Sequence, residues 1–136
     1  MQELSDIYKR FKQMKYAPVT GGITFEALAH ALVKEETMLK LLEGNFHATV
    51  GLIIATDLRI FYIGVNMYNQ TTIEQIQYED IVKIDITEPK FISVEISIHS
   101  RNEKILTVKG CDYSEGKEFV ELIRMLTLYN PLTKAS

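Results

Sequence analysis

At 136 residues, 46% of them hydrophobic and 24% charged, the chain has the length and composition of one ordinary globular domain with a single core. The formal net charge of -3 falls on residues 38–136, because residues 1–37 carry five basic and five acidic side chains, and this acidic surplus argues against nucleic acid as a partner. The single cysteine, the short apolar runs and the absence of a signal-peptide core predict a cytoplasmic protein without disulfides.

Two amphipathic segments open the chain. The first places apolar residues at three- and four-residue steps, which predicts a helix, and its other face carries lysines; the apolar members are Leu4, Ile7, Tyr8, Phe11 and Met14. Pro18 and Gly21–Gly22 then favour a turn. A second helix is predicted from Thr24, and its buried side consists of Phe25, Leu28, Ala29, Leu32 and Val33. Residues 1–37 therefore form a helical N-terminal extension.

From Met38 the hydrophobic period changes from about 3.6 to 2, and strand-forming residues dominate for some seventy residues. We predict seven strands, at residues 38–47, 49–56, 58–65, 71–78, 81–87, 91–100 and 103–109. The sixth alternates most clearly, with Ile92, Val94, Ile96 and Ile98 inward and Ser93, Glu95, Ser97 and His99 outward. Because the links are short, the strands are expected to form an antiparallel meander.

A C-terminal helix closes the predicted domain. Ser114 is the expected N-cap, Glu115 lies in the first turn, and Asn130–Pro131 ends the helix. The helix has a wide apolar face, formed by Phe119, Val120, Leu122, Ile123, Leu126 and Tyr129. Such a face must cover the open side of the strand-built core. The expected organisation is a strand-rich domain at residues 38–130 and a short tail at residues 131–136.

Three sequence stretches and one spaced pattern point to a known family. They are LLEGNF at residues 41–46, GLIIATDLRIFYI at 51–63, KEFVELIR at 117–124, and the pattern Tyr78, Ile81, Ile84. Together they resemble the bacterial PH-like domains, specifically the YokE-like group, over roughly residues 38–126. The resemblance implies a mainly β fold, a PH-like seven-stranded bent antiparallel barrel or sandwich capped by a C-terminal α-helix and preceded here by two short N-terminal helices. It does not imply one activity, because the fold hosts phospholipid, peptide and protein binding.

No constellation of catalytic side chains is visible in the sequence. His30, His47 and His99 fall on separate elements without a metal-ligand spacing such as HxxxH, and we interpret them as solvated or half-packed. Cys111 precedes the last helix, whose dipole would favour a thiolate, but a small buried residue in a tight turn is the simpler interpretation. The pair Glu79–Asp80 suits a turn. We expect no enzymatic activity, no metal and no cofactor.

The resemblance places candidate binding residues at the open end of the barrel, on three loops. Of the side chains there, Arg101 and His47 are the basic ones, whereas inositol phosphates need several cations, so lipid-headgroup recognition is weakly supported. Met67 and Tyr68, set among amides, suit contact with a protein, although both could instead fold back on the barrel. The candidate residues are His47, Thr49, Asn66, Met67, Tyr68, Asn69, Arg101 and Asn102. An exposed strand edge could also add an extended peptide.

The first helix offers a further surface, a membrane or oligomer face made of Ile7 and Phe11 together with Lys9, Lys12 and Lys15. Our leading hypothesis is a non-catalytic interaction module that binds a peptide, a protein or its own copies through the open-end loops and a sheet edge. The alternative is a peripheral membrane protein that contacts lipid through the basic N-terminal helix. The sequence leaves open whether the two leading helices pack on the barrel or act in trans.

Overall fold

The structure, a computed structural model, describes residues 1–16 and 22–128. Its elements in chain order are α1 (Leu4–Gln13), α2 (Gly22–Ala31), β1 (Met38–Phe46), β2 (Thr49–Thr56), β3 (Arg59–Val65), β4 (Thr71–Gln77), β5 (Ile81–Ile86), β6 (Ser93–Ser100), β7 (Ile105–Asp112) and α3 (Tyr113–Leu128). A single 3-10 turn, Tyr78–Asp80, separates β4 from β5. The predictions for Pro18, Gly21, Tyr129, Asn130–Pro131 and the tail at residues 131–136 lie outside the described residues.

Across these residues the seven strands form one antiparallel sheet in the order β4-β3-β2-β1-β7-β6-β5. The sheet curls into a half-barrel, α3 covers its inner face, and the two short N-terminal helices lie on its outer face. The predicted mainly β, PH-like architecture is therefore confirmed. Strands β4 and β5 are the two edges, and β1 and β7 form the junction between the two halves of the sheet.

Glycines on neighbouring strands let the sheet bend sharply near one end. Gly51 of β2 pairs with Gly44 of β1 on one side and with Gly64 of β3 on the other. A Cβ atom at Gly51 would lie 2.0 Å from the carbonyl oxygen of Ile63, and one at Gly64 would lie 2.6 Å from Tyr62 Oη. Because neither position has room for a side chain, glycine is required for this close approach of strands.

The inner core lies between the sheet and α3. Its fully buried members come from both halves of the sheet and from the helix: Ile53, Ala55, Ile60, Tyr62, Ile96, Ile98, Leu106, Val108, Cys111, Phe119 and Ile123. The prediction that Ile92 points inward was wrong. β6 begins at Ser93, and Ile92 lies in the two-residue hairpin loop before it, where 78% of its surface is exposed.

The start of α3 also differs from the prediction. Asp112, rather than Ser114, provides the side-chain cap, since its Oδ2 accepts a hydrogen bond from the backbone N–H of Glu115 at 3.0 Å. The helix accordingly begins at Tyr113, and β7 runs to Asp112, three residues beyond the predicted end. Sheet and helix therefore follow each other without a loop.

The second core lies on the outer face, where α1 and α2 cover β1, β2 and β3. Its buried members are Ile7, Phe11, Phe25, Leu28, Ala29, Leu32, Met38, Leu41, Leu52, Ile54, Phe61 and Ile63. The rings of Phe11 and Phe25 meet edge to face, with centroids 5.3 Å apart. The N-terminal helices thus pack on their own domain. Val33, predicted on the buried side of α2, is exposed because the helix ends at Ala31.

A buried ion pair fastens the segment after α2 to the sheet. Glu36 Oε1 lies 3.0 Å from Arg59 Nη2, and Glu36 Oε2 accepts a hydrogen bond from Thr56 Oγ1 at 2.6 Å. Arg59 Nη2 also donates to the carbonyl oxygen of Ala31 at 2.6 Å. Burial alone would raise the pKa of Glu36, but the hydrogen bonds from Arg59, Thr56 and the Val33 N–H, with the charge of Arg59, outweigh it and lower the pKa.

Candidate interaction surface

The β3–β4 loop, Asn66–Gln70, is held by hydrogen bonds from one amide side chain. Asn66 Oδ1 accepts from the backbone N–H of Tyr68 at 2.9 Å and from that of Gln70 at 3.0 Å, while Asn66 Nδ2 donates to Gln70 Oε1 at 2.7 Å. Asn69 has φ 62°, the left-handed conformation that closes this kind of hairpin. Asn66 and Asn69 therefore shape the loop.

Met67 and Tyr68, at the tip of this ordered loop, point into solvent. They expose 84% and 76% of their surfaces, so they do not fold back on the barrel. Nearby apolar side chains extend the surface on the outer face of the sheet. Val50 pairs with Val65 directly before the loop, and Ile73 follows it on β4; Val50 and Ile73 are both exposed. We call the set Met67, Tyr68, Val50, Val65 and Ile73 the loop patch.

The β1–β2 hairpin contributes less than the sequence suggested. His47 is exposed and has φ 52° in the two-residue loop, but Thr49 is buried. Thr49 Oγ1 donates to the carbonyl oxygen of Phe46 at 2.6 Å and lies 3.1 Å from Tyr62 Oη. Its hydroxyl is thus occupied inside the barrel, where burial raises the pKa of Tyr62. Thr49 supports the hairpin and presents no group to a ligand.

Arg101 and Asn102, in the β6–β7 loop, lie at a different place along β4 from the loop patch. The backbone N–H of Arg101 donates to the carbonyl oxygen of Asp80, which follows the C-terminal end of β4, whereas Met67 and Tyr68 precede its N-terminal end. Asn102 Oδ1 accepts hydrogen bonds from Ser100 Oγ and from the backbone N–H of Lys104, so it organises its own loop. The structure does not bring these two residues together with Met67 and Tyr68.

The predicted face on α1 is divided by the fold. Ile7 and Phe11 are buried against α2 and the sheet, so neither side chain is available to a membrane or a second copy, and that part of the prediction was wrong. The apolar stripe of this helix serves the domain's own outer core. Lys9 and Lys12 remain exposed on the opposite side of α1, and Lys15 is exposed just beyond the end of the helix. The surface that this helix leaves exposed is basic, so it suits an electrostatic contact.

A long basic side chain contacts each of the two edge strands of the sheet. At β5, Arg124 of α3 reaches across and its Nη2 donates to the carbonyl oxygen of Ile84 at 3.2 Å. At β4, Lys104 Nζ donates to the carbonyl oxygen of Gln75 at 3.2 Å and pairs with Glu74 at 2.6 Å. Side chains that cover an edge strand in this way hinder its pairing with a strand of another chain. On β4 they lie in the C-terminal half of the strand, away from the loop patch.

The residues considered for chemistry are spread over the molecule. Within residues 1–16 and 22–128, no group of three or more His, Cys, Asp or Glu side chains is placed to hold a metal ion. His30 and His47 are exposed, and His99 Nε2 lies 3.2 Å from Asp85 Oδ2. Cys111 is fully buried, and burial raises the pKa of its thiol to about 12, which disfavours a thiolate. None of the described helices is long and apolar enough to cross a bilayer.

Phe91 and Ile92 form a hairpin tip that the sequence pattern did not predict. Lys90 and Ser93 exchange backbone hydrogen bonds of 3.0 and 3.1 Å and leave these two residues as the loop. Phe91 has φ 59° and is fully exposed. The alternating pattern FISVEISIHS placed both in a strand, and no glycine or asparagine marked the turn. The signal that was available is Glu88–Pro89 just before it.

Comparison with known proteins identifies the fold family. A family model described as bacterial PH domain matches residues 32–125. Among solved structures, a pleckstrin homology domain from Shewanella amazonensis SB2B is 16% identical with a TM-score of 0.56, covering 76% of this chain and 94% of its own. The C-terminal domain of an unknown protein from Leishmania infantum is 11% identical with a TM-score of 0.56, covering 91% and 98%.

The hSac2 domain of the human phosphoinositide phosphatase Sac2 is 10% identical with a TM-score of 0.56, covering 94% of this chain and 85% of its own. At these identities the structural likeness shows the fold alone. No curated protein sequence matches the chain. The family match begins directly after α2 and spans the whole sheet and most of α3. PH domains are generally non-catalytic binding modules. The chain belongs to the bacterial PH domain family.

Proposed function

We propose that the chain is a non-catalytic, cytoplasmic interaction module that binds a protein, a peptide or a second copy of itself through the loop patch and the adjoining part of β4. The observation that carries the proposal is the exposure of Met67 and Tyr68 on a loop whose backbone is fixed by Asn66. Large apolar side chains at a loop tip contribute nothing to the core of this domain. Their natural use is burial against a partner.

The order of the loop strengthens this proposal. Binding usually costs conformational entropy when a loop must become rigid, and a loop that is already ordered avoids that cost. Tyrosine is enriched among interface residues that dominate affinity, and methionine adapts to irregular partner surfaces. A preformed loop carrying Tyr68 and Met67 therefore suits recognition better than it suits a structural role.

The experiment compares the wild-type chain with the double variant Met67→Ser/Tyr68→Ser. Each protein is immobilised, and proteins retained from an extract of the source organism are quantified by mass spectrometry; light scattering on the free proteins reports self-association. We expect specific retention, or self-association, to weaken about 30-fold, the effect of losing about 2 kcal/mol at a central contact.

The matched control is Val82→Ser/Ile105→Ser, which removes two exposed apolar side chains elsewhere on the sheet. It should bind like the wild type. Equal retention and equal self-association in all three proteins would contradict the proposal, provided that their thermal unfolding midpoints agree.

A further inference from the structure

Strand β4 forms one edge of the sheet, so one of its long sides has no strand beside it in the described part of the chain. Its other side pairs with β3 in an unbroken antiparallel register from Val65↔Thr71 to Arg59↔Gln77. Thr71 and Ile73, in the half of β4 next to the loop patch, are exposed. This half of the edge is therefore open to a further strand.

The loop before β4 determines which of its backbone groups point to the open side. The backbone N–H of Asn66, which directly follows β3, donates to the carbonyl oxygen of Gln70 at 3.1 Å. The backbone of Gln70 therefore points toward β3. Because this direction alternates along a strand, the N–H and C=O groups of Thr71 and Ile73 point away from β3. These groups line the open edge.

Lys104 marks the place where this open stretch of edge ends. Its Nζ donates to the carbonyl oxygen of Gln75 at 3.2 Å and lies 2.6 Å from Glu74 Oε2. Gln75 is two residues beyond Ile73, so the alternation directs its carbonyl oxygen to the open side as well, and the contact with Lys104 agrees with that direction. A strand added beside β4 meets the backbone of Ile73 first and the Lys104 side chain at Gln75.

The open edge is complementary to the same segment of a second copy. When two such strands pair antiparallel about a two-fold axis at Thr72, Thr71 of each copy lies opposite Ile73 of the other. Each of these two pairs exchanges both backbone hydrogen bonds, and Gln75 takes no part. With the axis at Ile73 instead, Thr71 would lie opposite Gln75, whose carbonyl oxygen Lys104 already occupies. The occupied carbonyl therefore favours the axis at Thr72.

The side chains of this segment also suit its own copy. Residues 66–73 contain no charged side chain, so two copies meet without like-charge repulsion, and a strongly charged strand finds no counter-charge there. Val50, Val65 and Thr71 form a row across the outer face of the sheet. Pairing extends this row with Ile73 of the second copy. The apolar side chain that the fold leaves exposed at the edge is then covered.

Resting on the proposed binding function, we propose that the occupant of this edge is a second copy of the chain, paired antiparallel through residues 71–73 of both copies about a two-fold axis at Thr72. The pairing joins the two seven-stranded sheets into one continuous sheet. Met67 and Tyr68 of each copy then lie beside the C-terminal half of β4 of the other copy. Because the paired segment is short, the dimer is weak and forms at high protein concentration.

The first test is analytical ultracentrifugation of the full chain from about 10 µM to about 1 mM, where a small interface associates. Ile73→Lys and Ile73→Glu should each weaken dimerisation at least about ten-fold, because each brings like charges together across the axis. An equimolar mixture of the two variants should dimerise again, since diagonal side chains of paired strands reach each other. Val82→Lys, the same charge at an exposed position on the other edge strand, should behave like the wild type. A wild type that stays monomeric, or a mixture that does not dimerise, would overturn the proposal.

Cysteine crosslinking checks the position of the axis. In Thr72→Cys the two new thiols face each other on strands whose Cα atoms are about 4.5 Å apart, so mild oxidation should yield a disulfide-linked dimer. Thr71→Cys, at a diagonal position, should crosslink at least about ten-fold more slowly. The wild type should not crosslink, because Cys111 is fully buried. Faster crosslinking at position 71 than at position 72 would overturn the proposed register. If the chain stays monomeric while Met67 and Tyr68 still capture a different protein, this inference falls and the proposed function stands.

Discussion

Arg59 Nη2 lies 3.0 Å from Glu36 Oε1, which joins the segment after α2 to the first residue of β3. The guanidinium group also stacks over the ring of Phe61, 4.7 Å from its centroid, and so connects the ion pair to the outer core. The two N-terminal helices are thereby held to the sheet by a polar contact as well as by apolar packing.

Removing one member of this pair should destabilise the domain. Glu36→Ala leaves the Arg59 guanidinium partly buried without its carboxylate, and we expect the free energy of unfolding to fall by about 3 kcal/mol. Urea denaturation followed by circular dichroism measures the change. Glu35→Ala removes the neighbouring exposed carboxylate and should change stability by less than about 0.5 kcal/mol. Similar losses for the two variants would contradict the role given to the pair.

The same pair predicts a pH dependence of stability. The pKa of Glu36 is lowered from 4.5 in the folded chain. The stabilisation it provides is therefore complete above that ordinary value and is lost as pH falls through the folded-state pKa. The stability difference between the wild type and Glu36→Gln should be largest near neutral pH and should shrink on acidification below 4.5. Denaturation curves for both proteins across this range provide the measurement, and a constant difference would refute the assignment.

Gly51 should not tolerate any side chain. In Gly51→Ala the new Cβ would lie 2.0 Å from the Ile63 carbonyl oxygen. This oxygen belongs to the backbone, so it can move only if the strand itself shifts. We expect a loss of at least about 3 kcal/mol in unfolding free energy, or failure to fold. Val50→Ala, one residue earlier and exposed, should stay within about 1 kcal/mol of the wild type. Thermal unfolding of the two variants compares the sites directly.

Phe91 adopts a backbone conformation that favours glycine. Phe91→Gly removes the strain of φ 59° and should keep the unfolding free energy unchanged or raise it by up to about 1 kcal/mol, although it deletes an aromatic side chain. Ile92→Gly, at the next position of the same tip, relieves no such strain and should lower it by about 0.5 to 1 kcal/mol. Chemical denaturation measures the change in unfolding free energy for each variant. A decrease for Phe91→Gly as large as that for Ile92→Gly would contradict the account.

The sheet could be predicted from the sequence because the alternation of apolar residues is local information. β2 was predicted with its observed bounds since a turn lies directly on either side of Thr49–Thr56. The prediction that Ile92 points inward was wrong because the alternation of apolar residues continues through a hairpin loop that contains neither glycine nor asparagine. The Glu36–Arg59 pair joins the segment between α2 and β1 to a strand 23 positions further along the chain, and no local pattern marks it.

The candidate site was predictable only in part. Met67 and Tyr68 were recognised by their residue types in a polar loop, and the structure places both in solvent. Thr49 was included because of its position in a loop, yet the pleat turns its hydroxyl toward Tyr62 in the core. Ile7 and Phe11 formed an apolar stripe whose partner the sequence does not reveal. An amphipathic pattern shows that one face of a helix is buried, but it does not show which surface that face packs against.

The most direct test of the binding role replaces Tyr68 with a photo-crosslinking amino acid. Irradiation in extract of the source organism should join the loop to one defined protein, or to a second copy of the chain. Unlabelled wild-type protein should compete for this product, and Met67→Ser/Tyr68→Ser should not. A crosslinker at Val82, an exposed position on β5, should not form it. The same products from positions 68 and 82, or no competition by the wild type, would contradict the account.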